Sequence, residues 1–142
     1  MKLDQCRHKG SPVPSGKLPK KIVVWTDCGD CFFHNWAQEA LPKSMQAAPK
    51  DKEVLMAMLV GSTYEREPKE APKTEHEIYE VALFTMPGAQ PIGIYRVVGN
   101  PVDANWRATN GGNAPNQKRD LSAWLARFME SPQVVARESA LK

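Results

Sequence analysis

The stretch Lys21-Ile-Val-Val-Trp-Thr26-Asp-Cys28-Gly-Asp-Cys31 carries a change of period. Its first half is β-branched and aromatic, short and nearly continuously apolar, as a strand buried on both faces would be. Beyond Cys31 the apolar residues Phe33, Trp36, Ala37, Ala40, Leu41, Met45 and Ala48 recur at three- and four-residue steps, one face of a helix. Pro42 lies inside that pattern and removes a backbone donor, so a kink is expected near Gln38 to Leu41. Pro49 ends the helix.

Working outward, Glu53 to Val60 reads as a second buried strand stopped by Gly61, and Tyr64 to Lys73 as an exposed, charged loop with two prolines. Thr74-Glu-His-Glu77 has the spacing of a capping box, and Ile78, Val81, Ala82 and Thr85 continue at helical steps. This predicts a second helix, stopped at Pro87-Gly88. Pro91 to Val98 is a third strand closed by Gly99-Asn100, and Trp106 to Ala108 a short fourth. Leu121, Trp124, Leu125, Phe128 and Met129 form the clearest amphipathic helix, ended by Pro132. Trp25, Trp36, Trp124 and Phe128 are expected in the core. The predicted order is β-α-β-α-β-(β)-α. Residues 1–20 read as a flexible, basic, Pro/Gly-rich tail, 21–131 as one domain, and 132–142 as a tail or a frayed turn.

The 142 residues make one ordinary domain, with 42% apolar and 25% charged side chains. A net charge of +3 is too near balance to point to nucleic acid, which is not an expected partner. The longest apolar run, Val54 to Val60, is far short of the about 20 residues of a bilayer span, and no membrane partner is expected. The first ten residues hold no apolar signal core, so the expected location is the cytoplasm. Three cysteines are too few for a disulfide scaffold.

Cys28 and Cys31 stand where a strand gives way to a helix. Unpaired N–H groups and the helix dipole favour a thiolate at Cys28, and one turn brings Cys31 back over it. A Cys28 thiolate can attack a disulfide, and Cys31 can release the mixed disulfide. Gly29 eases the turn between them. Asp27 and Asp30 oppose the thiolate by repulsion.

Ile22-Val-Val-Trp25 followed by Cys28-Gly-Asp-Cys31, Pro91 eight residues before Gly99, and the closing helix Arg119 to Phe128 together resemble the thioredoxin-like family. The resemblance covers roughly Lys21 to Glu130. It implies a single α/β domain with a central mixed sheet of about four strands flanked by helices. The implied activity is thiol–disulfide oxidoreduction, with Cys28 as nucleophile and Cys31 as resolving thiol. Gly29, Asp30, Gln90 and Pro91 would line the substrate groove, the Gln90–Pro91 bond being cis. No bound cofactor is implied; the partners would be protein disulfides and an external reductase. Ile22 stands where thioredoxin has a buried carboxylate. That departure, with Asp27 and Asp30, keeps open a non-enzymatic thioredoxin-fold subunit of a larger assembly. A third reading is a zinc module using Cys6, His8, Cys28 and Cys31.

Overall fold

The computed structural model describes residues 17–26, 38–67, 74–100, 102–103 and 117–140. Strand β1 (Ile22–Thr26) forms as the sequence predicts and pairs in parallel with β2 (Val54–Glu67), Ile22 opposite Leu55. Parallel neighbours need a crossover. Residues 38–40 of that crossover are helical, and the helix stops ahead of Pro42 instead of running kinked to Ala48. Without a proline N–H the chain turns, and Lys43–Met45 make a single 3-10 turn.

From β2 onward the sheet is an antiparallel meander. β2 continues through Glu67, where the sequence read as a loop, and β3 spans Thr74–Met86. The helix expected over Thr74 to Thr85 is therefore a strand. The helical spacing was met because Ile78 to Phe84 is apolar at every position but Glu80, and such a run satisfies any period. Its β-branched and aromatic members suit a strand buried on both faces. Pro87-Gly88-Ala89 makes the hairpin turn rather than a helix stop, with Gly88 at φ 91° where a side chain would be strained. β4 (Gln90–Val98) pairs with β3. β5 (Val102–Asp103) pairs with Thr74 and Glu75, beyond the end of β4; the short strand expected at Trp106 to Ala108 lies outside the described residues. The order is β1-β2-β3-β4.

Helix α1 (Gln117–Glu130) forms where the amphipathic pattern placed it. Pro132 ends it by starting another: α2 (Pro132–Glu138) carries proline in its first turn, where the missing N–H costs nothing, and buries Val135 and Ala136. Both helices join the main core. Leu55, Ala57, Tyr79, Val81, Leu83, Tyr95 and Val97 point from the sheet toward Leu121, Trp124, Leu125 and Phe128. The alternate residues Met58, Ala82, Phe84 and Ile94 form a second, smaller cluster. Trp124 and Phe128 are core residues as expected, whereas Trp25 is 40% exposed on the edge strand. The α/β class, with a mixed sheet of four main strands and a few helices in one small domain, stands as read from the sequence.

Candidate functional site

Cys28, Gly29, Asp30 and Cys31 lie outside the described residues, as do Cys6 and His8 of the zinc reading. Gln90 and Pro91 are exposed at the start of β4. Pro91 pairs with Phe84, Phe84 with Met56, and Met56 with Val23. At about 4.8 Å per strand step, Pro91 stands roughly 14 Å across the sheet from β1, with β2 and β3 between. The cis X–Pro bond of the described residues is Met86–Pro87 and not Gln90–Pro91. Among the described residues no group of three His, Cys, Asp or Glu side chains could hold a metal ion.

The structure brings together a different set of residues, at the end of the sheet where β1 and β2 begin and β3 ends. The chain before β1 is tied there by the Leu55 N–H, which donates to the Lys21 carbonyl at 2.8 Å. Lys21 itself turns away, its Nζ donating to the Ser44 carbonyl at 2.8 Å. Leu18 packs against the main core, so the segment is held across the sheet end. Between it and the β3–β4 turn opens a cavity of about 630 Å³. Lys17 and Lys20 stand on one side, Glu53 at the entry to β2, and Thr85 at the end of β3. Leu18, Met86 and Pro87 add apolar wall. The arrangement offers two cations, one anion, a hydroxyl and a greasy surface.

A second polar cluster lies over the helix face. The Asp120 carboxylate, in the first turn of α1, accepts from the Asn100 N–H at 3.0 Å and from Asn100 Nδ2 at 2.6 Å. Gly99 donates its N–H to the Glu77 carbonyl at 2.8 Å. A Cβ on Gly99 would sit 3.0 Å from both that carbonyl oxygen and Asp120 Oδ2, so the close approach needs glycine. Burial pushes the Asp120 carboxyl above the ordinary carboxylate value, and the two bonds from Asn100 pull it back only in part. The buried Glu77 carboxylate accepts from the Tyr79 hydroxyl at 2.9 Å. A cavity of about 240 Å³ beside Asp120 and Trp124 has Arg127 at its rim, and Arg127 is already paired with Glu138 at 2.9 Å. This cluster fastens α1 to the turn after β4.

Neither site stood out in the sequence. Lys17 and Lys20 belong to a basic stretch that reads as solvated tail. Leu18 between them is the apolar residue that seats the stretch on the domain. Asp120 and Asn100 are 20 residues apart, and only the fold makes them neighbours.

No family model and no curated protein matches the sequence. Among solved structures the chain is similar to a minor lipoprotein from Acinetobacter baumannii, with 10% identity and a TM-score of 0.47 over 87% of this chain and 96% of that one. It is also similar to the rare lipoprotein B of Shewanella oneidensis, with 13% identity and a TM-score of 0.32 over 83% and 92%.

The meander from β2 to β4 replaces the helix that the thioredoxin resemblance required between the second and third strands. The resemblance is overturned. With it go thiol–disulfide oxidoreduction, the redox-active disulfide and the thioredoxin-fold subunit. The cytoplasmic location read from the N-terminal residues is withdrawn with it.

Proposed function

We propose that the protein is a ligand-binding domain whose cleft at the sheet end takes a small organic anion with an apolar tail. The observation that carries this reading is the cavity itself. Its volume of about 630 Å³ lies inside the roughly 300–1,000 Å³ of small-molecule sites. Two lysines, a threonine and an apolar wall line it. Exposed ion pairs contribute only about 0.2–1 kcal/mol each. The tail supplies more, at about 0.8 kcal/mol per buried methylene. Lys17 and Lys20 therefore orient the head group, while Leu18, Met86 and Pro87 hold the ligand.

Octanoate is a suitable probe, with a binding constant expected on the order of 1 mM. Titrated into ¹⁵N-labelled protein, it should shift the amides of Lys17, Leu18, Lys20, Thr85 and Met86 and leave those of α1 in place. Replacing both lysines by alanine should weaken binding about fivefold with the fold intact, the loss of roughly 1 kcal/mol of charge attraction. Shifts scattered over the whole surface, or affinity unchanged in the double variant, would overturn the reading.

A further inference from the structure

The cleft carries both signs of charge, and we propose that Glu53 makes it select a zwitterion, a ligand bearing an ammonium group beside its anionic head. This inference rests on the ligand-binding reading above. Lys17 and Lys20 come from the segment before β1, whereas Glu53 stands at the entry to β2. The two signs thus face the cavity from different elements. Among the described residues no ion pair joins Glu53 to Lys17 or Lys20. Among the described residues none of the three charges has an ion-pair partner, and a guest in the cleft can pair with all of them. A plain anion satisfies the lysines and is repelled by Glu53. An anion that also carries an ammonium group satisfies all three. A dianion is disfavoured on the same ground, so Glu53 acts as a specificity residue and not as part of the general affinity.

The test compares two ligands that differ by one group. Octanoate and 2-aminooctanoate share a carboxylate and a chain; the second adds one cation. Titration calorimetry on the full chain should show 2-aminooctanoate binding about fivefold more tightly, the equivalent of one charge pair in water-like surroundings. In Glu53→Gln that preference should vanish and octanoate should bind more tightly than it does to the parent. Glu53 is an exposed residue, so an unchanged melting temperature will show that the variant is folded. Equal affinities for the two ligands in the parent protein overturn the zwitterion proposal and leave the cleft reading standing. Absence of binding by both ligands overturns the two together. An unaltered preference in Glu53→Gln overturns the role given to Glu53.

Discussion

The two edges of the sheet are closed by different means. At the β1 edge a single side chain does the work of a strand: Gln38 Oε1 accepts from the Val24 N–H at 2.6 Å, and Gln38 Nε2 donates to the Ile22 carbonyl at 2.8 Å. Ala47 adds its N–H to the same carbonyl at 3.2 Å. At the β4 edge the closure is main chain, the Arg96 N–H donating to the Ser139 carbonyl at 2.9 Å, with Tyr95 bridged to Ala140. Pro91 further blunts that edge, having no N–H to offer. Gln38, the side chain that closes β1, is 14 positions from Val24 and 16 from Ile22 along the chain. Those that close β4 must travel round the whole helical pair. One edge is protected by local chemistry, the other only after α1 and α2 have docked.

Packing holds that second closure. Tyr95 on β4 meets Trp124 and Phe128 on α1 at ring-centre distances of 5.8 and 5.5 Å, and the two helix rings stand 5.3 Å apart. Trp124 Nε1 then donates to Ser139 Oγ at 2.7 Å and fixes the end of α2. The sharpest break is therefore Phe128→Ala, expected to cost about 3–5 kcal/mol in urea unfolding through the cavity it leaves. A smaller loss would mean that the β4 closure does not depend on the aromatic trio.

Gln38→Ala tests the other edge. It strips two hydrogen bonds from part-buried backbone and should cost about 1–3 kcal/mol. The bared edge should also promote concentration-dependent association in size-exclusion chromatography. Stability and elution both equal to the parent's would show that Ala47 alone suffices.

The finest effect concerns Asp120, which binds α1 to the turn after β4. Its carboxyl titrates above the ordinary carboxylate value because burial favours the neutral form. The stabilisation from that proton is complete below the ordinary value and is lost as pH rises through the raised one. Asp120→Asn lacks this component. The stability of the variant minus that of the parent should climb as pH rises across that window. A flat difference in melting temperature over the window would remove Asp120 from the pH response.

Residues whose environment is set by near neighbours were legible. Lys21 to Thr26 and Glu53 to Val60 read as strands and form strands from Ile22 and Val54 on, though Trp25 is exposed, and the face of α1 follows from the steps between Leu121, Leu125 and Phe128. Thr74 to Met86 was misread because an apolar run on both faces carries no period of its own. Partners on either side, Ala57 and Gly93 opposite Leu83, make it a strand. The same error supported the wrong family, for a helix at that point puts Pro91 beside β1 and a strand leaves two strands between them. The cleft was missed because surface charges such as Lys17 and Glu53 have no local signature; their meaning lies in what faces them.

The sequence alone determined that this is one α/β domain with a first strand at Ile22–Thr26 and a terminal amphipathic helix, since apolar spacing, β-branching and proline position act within a few residues. Strand order, the use of Gln38 and Ser139 to close the edges, and the meeting of Lys17, Lys20 and Glu53 around one cavity were decided by tertiary structure. Those depend on which distant surfaces exclude water together, and no local pattern encodes that.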